Sequence, residues 1–268
     1  MIPKIIHYCW FGGGQKPEII EKCIASWRKQ CPDWEIIEWN ESNYDVNKNP
    51  FMKEAYESKK WAFVTDYARL DIIYSNGGVY LDTDVEMLQP IDEWIEGNGF
   101  IVFETSRMIN TGMGFGAMKG HGAILTMMEP YKNLHCLRGE DFICYPCPKL
   151  NTESLAKYYS QFVRNGNTQD LNGFKVLSLK EYSQKAIHHY TGTWGDKNSK
   201  SNRKYKETKL RKFLRSPQNF EFIEKYLGKR VCDAYTFLCY DLIEYGLFHY
   251  CKRFFSKIRK HDKSGFDC

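Results

Sequence analysis

The first forty residues read as a short strand, a glycine loop, a helix and a second strand, and that order constrains the fold more than any other feature of the chain. Pro3–Phe11 (PKIIHYCWF) is β-branched and aromatic, and Gly12–Gly14 stops it. Behind Pro17, the run PEIIEKCIASWRKQ sets Ile19, Ile20, Cys23, Ile24 and Trp27 at helical spacing. Trp34–Trp39 (WEIIEW) is a second short strand. Two strands joined through a helix at this spacing pair in parallel, so the reading is an α/β sheet. With 268 residues, 43% of them hydrophobic, the chain is long enough and apolar enough to bury a core, which excludes a disordered chain.

The pattern continues downstream. WAFVTDYARLDIIYSN, from Lys60 on, is helical, with Phe63, Tyr67, Leu70 and Tyr74 as one stripe and Asn76-Gly77-Gly78 as a left-handed stop. VYLDTD, Phe100–Glu104, GFKVLSL and AIHHYTGTW are strand-like, and NTGMGFGAMKGHG is a glycine-rich loop and strand. No repeat and no low-complexity linker interrupts them.

The stretch Gly77–Glu86, GGVYLDTDVE, ends an apolar strand in two aspartates. In an extended strand, residues two apart share a face at roughly 7 Å. Asp82 and Asp84 are therefore expected to point the same way, beside Tyr80. Ligands of open α/β sheets bind beyond the carboxyl ends of strands, where paired carboxylates suit Mg²⁺ or Mn²⁺ and the phosphates these ions carry. A solvated turn explains the same tripeptide, and the tripeptide alone does not choose. Asp66 and Arg69, three apart on the preceding helix, share one face and read equally as a surface ion pair. The histidines of HHYTGTW offer a nitrogen ligand or a structural role.

Together these residues carry a resemblance. KKWAFVTDYARLDIIYSNGGVYLDTDVEMLQPID resembles the D-x-D segment of the family 32 glycosyltransferases, which include capsular-polysaccharide transferases and the initiating mannosyltransferase of yeast. IPKIIHYCWFGGG, NTGMGFGAM and AIHHYTGTW are similar to further blocks of that family, so the resemblance runs from Ile2 to Trp194. It implies a GT-A-like (Rossmann-like) mixed sheet flanked by helices and retaining transfer of a hexose from a nucleotide-sugar donor, UDP-linked by preference. By the same resemblance Asp82 and Asp84 hold Mn²⁺ or Mg²⁺ and the donor diphosphate, with His189 as third ligand and His188 as its rival. Asp66 and Arg69 fall on the pair that contacts the donor sugar, and these four charged residues form the expected catalytic set. Trp10 is placed to stack on the nucleobase, Tyr80 and Asn110 to line the donor site, and Trp194 to donate its indole N–H to the diphosphate. No carboxylate nucleophile stands out, which favours same-face substitution over double displacement.

The rest of the chain bears on location and partners. A net charge of +5 suits a phosphate-bearing ligand, and no nucleic-acid partner is expected. The ten cysteines read as reduced thiols, and CYPC (Cys144–Cys147) lacks the second pair a zinc site needs. Lys197–Lys212 holds eight Lys or Arg against one Glu and reads as a solvated loop or as a lid over phosphates. Phe254, Phe255 and Ile258 among six basic side chains suit either an ordinary docked helix or the surface of an anionic inner leaflet. We therefore expect a transferase domain over residues 1–215 and a helical C-terminal extension over 216–268. The expected setting is cytoplasmic, peripheral on the membrane, with a cell-surface polysaccharide, a glycan or a lipid-linked glycan as acceptor. A nucleotide-sugar phosphohydrolase or nucleotidyltransferase would use the same metal logic without an acceptor. A non-catalytic carbohydrate- or nucleotide-binding module would have no need of the charged set.

Overall fold

The computed structural model describes residues 1–139, 141–142 and 147–191. Trp194, Cys144, the basic segment 197–212, the boundary near 215 and the C-terminal extension lie outside the described residues. Residues 1–104 and 108–191 belong to one compact unit.

That unit is built on a seven-stranded sheet in the order β2-β1-β3-β6-β5-β10-β9. Its strands are β1 (Ile5–Cys9), β2 (Glu35–Trp39), β3 (Gly78–Tyr80), β5 (Gly99–Val102), β6 (Phe115–Ala117), β9 (Gln169–Leu171) and β10 (Phe174–Leu177). The expected parallel pairing holds where the first forty residues lie: β1 runs parallel to β2 and to β3. Beyond β3 the sheet is mixed. β6 is antiparallel to both β3 and β5, β5 and β10 are parallel, and β9 closes the edge antiparallel. A mixed sheet flanked by helices is the GT-A-like arrangement expected of the chain. Two short antiparallel pairs lie apart from the sheet: β4 (Val85–Met87) with β11 (Ala186–His188), and β7 (Leu137–Arg138) with β8 (Asp141–Phe142).

Among the described residues six α-helices flank the sheet: α1 (Glu18–Gln30), α2 (Pro50–Glu57), α3 (Trp61–Asn76), α4 (Gly122–Met128), α5 (Cys147–Tyr158) and α6 (Leu179–Lys185). In α1 Glu18 and Glu21 stand in the first turn and Arg28 and Lys29 in the last, each opposing the helix dipole. Its buried face, Ile20, Cys23, Ile24 and Trp27, follows the expected spacing. The α3 stripe departs from expectation. Leu70 is buried, but so are Val64, Thr65, Asp66, Ala68, Arg69, Ile72 and Ile73, whereas Phe63, Tyr67 and Tyr74 are only partly covered. The helix is enclosed on most sides by α2, α4 and β1, so its polar residues are interior residues. Gly77 ends it at φ 74°, in the left-handed region expected of the Asn-Gly-Gly stop.

Side chains alternate across the sheet into two apolar clusters. Cys9, Tyr80 and Ile101 join one; Ile6, Tyr8, Val79, Leu81, Phe100 and Val102 join the other. Among them lies His7. Its Nδ1 accepts from Trp39 Nε1 at 3.0 Å, so Nε2–H donates to Gly77 O at 2.9 Å. Burial pushes its pKa down to about 4, only partly opposed by the Gly77 bond. The unfolded chain therefore takes up the proton first as pH falls. The His7 contribution is complete above about pH 6.5 and lost towards pH 4, and amounts to about 3 kcal/mol. Urea unfolding at pH 7 and pH 4.5 is expected to show a loss that is smaller in His7→Gln than in the parent chain.

Candidate active site

Because β1 and β3 are neighbours and parallel, their carboxyl ends open on the same edge of the sheet. Trp10 follows β1 and the aspartate pair follows β3. The pair does not stand on an extended strand, as the sequence suggested. β3 ends at Tyr80, and Asp82–Val85 is a turn closed by Val85 N–H donating to Asp82 O at 3.0 Å. The turn is pinned by Asp82 N–H to Gly112 O at 3.1 Å and by Trp27 Nε1–H to Val85 O at 2.7 Å. It holds both carboxylates inward: Asp82 is 8% exposed and Asp84 2%.

The third member of the group comes from β11. Asp82, Asp84 and His188 bring ligand atoms within 4.8 Å of one another. His188 Nε2 stands 3.1 Å from Asp84 Oδ1. His189, the expected ligand, is elsewhere: its Nε2 meets Glu86 Oε2 at 2.8 Å. The β4–β11 pairing sets His188 opposite Val85, and neighbouring residues at the end of a strand face opposite ways, so only one of the two histidines reaches the aspartates. His189 instead ties its backbone N–H to Asp84 O at 3.0 Å.

Behind the pair lies Arg69, 3% exposed. Its Nη2 is 3.1 Å from Asp66 Oδ1 and 3.5 Å from Asp82 Oδ1. Nε and Nη2 also donate to Thr65 O and Thr65 Oγ1 at 2.9 Å each, and Nη1 to Thr111 Oγ1 at 3.4 Å. One buried cation thus serves two buried carboxylates, which rules out the solvated ion pair that the i,i+3 spacing also allowed. Burial still raises the Asp66 pKa to about 6, against the pull of Arg69. Burial raises Asp82 too, opposed mainly by Arg69. Asp84 goes the other way: burial raises it, but His188 and two hydrogen bonds from Thr191 outweigh that and hold it near 2.

Of the other expected residues, Tyr80 is enclosed at 1% exposure. Its hydroxyl donates to Asp82 Oδ1 at 3.2 Å, so it supports the carboxylate and presents no face to a ligand. Asn110 holds the loop, accepting from Gly112 N–H at 2.8 Å and donating to Glu104 at 3.0 Å. Trp10 stays partly exposed, its Nε1–H on Gly14 O at 2.7 Å and Lys16 Nζ 5.5 Å above its ring.

Several residues here were assigned no role from the sequence. Thr111 receives Asn151 Nδ2–H at 3.2 Å, and the Cys147 thiol donates to Asp66, so α5 supports the charged group. Gly112 packs so closely that a Cβ would land on Asp82 Oδ2, with Arg69 Nη1 and Asn110 Oδ1 at 3.1 Å. Only a glycine fits there.

The donor set suits a hard or borderline divalent cation: two carboxylates and one imidazole. Asp84 Oδ1 is buried and accepts no hydrogen bond, with only His188 Nε2 facing it at 3.1 Å. A buried carboxylate oxygen in that state costs free energy unless something positive meets it. Asp82, Asp84 and His188 therefore fit a metal ion.

Comparison with known proteins bears on the stretch that holds the charged residues. Residues 17–101, which contain Asp66, Arg69, Asp82 and Asp84, match the family described as glycosyltransferase sugar-binding region containing DXD motif. Over this stretch the chain is similar to family-32-type glycosyltransferases that carry a DXD motif. It is 27% identical over 224 residues to inositol phosphoceramide mannosyltransferase 1 of Schizosaccharomyces pombe, covering 75% of this chain and 67% of that protein. It is 28% identical over 115 residues to the initiation-specific alpha-1,6-mannosyltransferase of Candida albicans, covering 39% of this chain and 30% of that one. A solved structure described as PaToxG glycosyltransferase shares 16% identity at a TM-score of 0.47, over 59% of this chain and 70% of that one. This glycosyltransferase-like chain has, among its described residues, no helix long and apolar enough to cross a membrane.

Proposed function

We propose that the chain transfers a hexose, with retention, from a nucleotide-sugar donor to a glycan or lipid-linked glycan, using a divalent cation held by Asp82, Asp84 and His188. The observation that carries this is the buried three-residue group, in which one Asp84 oxygen accepts no hydrogen bond and faces His188. A bound Mn²⁺ or Mg²⁺ would supply Lewis-acid neutralisation of the departing diphosphate. Asp84, held near 2, is ionised at every working pH. Arg69 keeps Asp82 and Asp66 in place and offsets their charge in a buried setting. Trp10, at the same edge of the sheet, offers an aromatic face to a nucleobase. The names of the relatives favour mannose as the sugar, whereas the family resemblance favours a uridine nucleotide, so the donor panel spans both UDP- and GDP-sugars.

The test is nucleotide release from that panel with Mn²⁺, with and without EDTA and the Asp82→Ala/Asp84→Ala double variant. One donor hydrolysed slowly, only with metal and only by the parent chain, supports the reading. Nucleotide release that persists in EDTA contradicts it. The two histidines give a sharper internal comparison. His188→Ala is expected to weaken Mn²⁺-supported release by at least about tenfold, and His189→Ala by less than about twofold. Equal losses would contradict the assignment of His188.

A further inference from the structure

Asp84 is gripped through one oxygen only. Thr191 N–H donates to Oδ2 at 2.9 Å and Thr191 Oγ1–H to the same oxygen at 3.1 Å. Oδ1 has no hydrogen bond and faces His188 Nε2 at 3.1 Å. Two donors on one carboxylate oxygen fix the rotation of the group and so decide where the other oxygen points. Here it points into the group shared with Asp82 and His188.

Both elements of this grip come from residues 188–191. β11 ends at His188, and Tyr190 takes φ 49°, a left-handed conformation that a tyrosine seldom adopts. Tyr190 is held in it by contacts on two sides. Its ring lies edge-on to His188 with centroids 4.0 Å apart, and its hydroxyl reaches Met113 Sδ at 3.6 Å. The reversal brings Thr191 back onto the same aspartate that His188 approaches.

We infer that Thr191 is a positioning residue for the cation site, fixing Asp84 so that Oδ1 is presented to a divalent ion while Oδ2 is taken. The inference rests on the reading of Asp82, Asp84 and His188 as that site. It also makes the segment after β11 a clasp that delivers the imidazole and orients the carboxylate in one move. Hydrogen-bond partners of metal ligands commonly alter metal affinity by about 10–100-fold when removed. Thr191→Val keeps the backbone donor and the side-chain shape and removes only the hydroxyl, which places its effect at the lower end of that range.

The experiment is titration of the full chain with Mn²⁺ alone, free ion being followed by its paramagnetic resonance signal, alongside thermal unfolding of each variant. Thr191→Val is expected to bind Mn²⁺ about tenfold more weakly at an unchanged melting temperature, Thr191→Ser within about twofold of the parent, and Asp84→Ala not measurably. If Thr191→Val binds like the parent while Asp84→Ala does not bind, the positioning role is wrong and the metal site stands. If Thr191→Ser loses as much affinity as Thr191→Val, the hydroxyl is not what matters and the inference fails. If Asp84→Ala binds like the parent, the metal-site reading fails and takes the inference with it.

Discussion

Asp84→Ala is expected to lower metal-supported turnover by on the order of 10³-fold while leaving the fold intact. Asp84 supplies the one buried oxygen in the group that has no hydrogen bond, and it is the carboxylate most firmly ionised. Its loss leaves Asp82 and His188 as a two-residue remnant with half the negative charge. Cation affinity and turnover should fall together, because the same ion that binds the diphosphate neutralises the leaving group. Asp84→Asn separates charge from shape: it preserves an acceptor for Thr191 but not the charge, and should be nearly as impaired. The check is steady-state turnover on the donor found in the panel, with circular dichroism of each variant. Full activity of Asp84→Asn at saturating Mn²⁺ would mean that its charge plays no part.

Arg69→Met carries the second large effect, and it is mainly one of stability. The guanidinium lies between Asp66 and Asp82, all three buried, and methionine fills similar volume without charge. Removing one partner of a buried ionic group costs roughly 3–5 kcal/mol, because the remaining charges lose their compensation. The sign of the pH dependence follows from the two carboxylates. Both already have folded pKa values above the usual range, Asp66 at about 6. Without Arg69 they rise further, so the folded variant holds protons that the unfolded chain has released. Stability of Arg69→Met should therefore be worst at high pH and recover as pH falls. Urea unfolding at pH 8 and pH 5.5 should show the deficit against the parent shrink on acidification; a deficit that does not change between them would contradict a mainly electrostatic role.

Much of the frame was legible because it is local. The β1–α1–β2 unit and the helix stop at Gly77 are written in periodicity and in turn chemistry that neighbouring residues decide among themselves. The site was legible in its charged members through the family resemblance, since residue patterns alone allowed a surface ion pair for Asp66 and Arg69 and a solvated turn for Asp82 and Asp84. What stayed hidden depends on long-range register. Nothing in HHY tells which histidine faces the aspartates until β11 is laid against β4. Thr191, Thr111 and Asn151 are ordinary polar residues whose partners are about 107, 42 and 40 positions away. The aromatic stripe on α3 misled because periodicity marks apolar residues, whereas this helix is buried on the side that carries Asp66 and Arg69 as well. The turn at Asp82 was mistaken for strand because Leu81 extends the apolar run one residue past the end of β3.

The most direct measurement is diffraction from crystals grown with Mn²⁺ and a uridine or guanosine diphosphate, recorded for anomalous scattering. An anomalous peak within about 2.0–2.3 Å of oxygen atoms of Asp82 and Asp84 and of His188 Nε2, in contact with the diphosphate, is the result this account predicts. Bound nucleotide with no peak among those three residues, or a peak between Glu86 and His189, would contradict it.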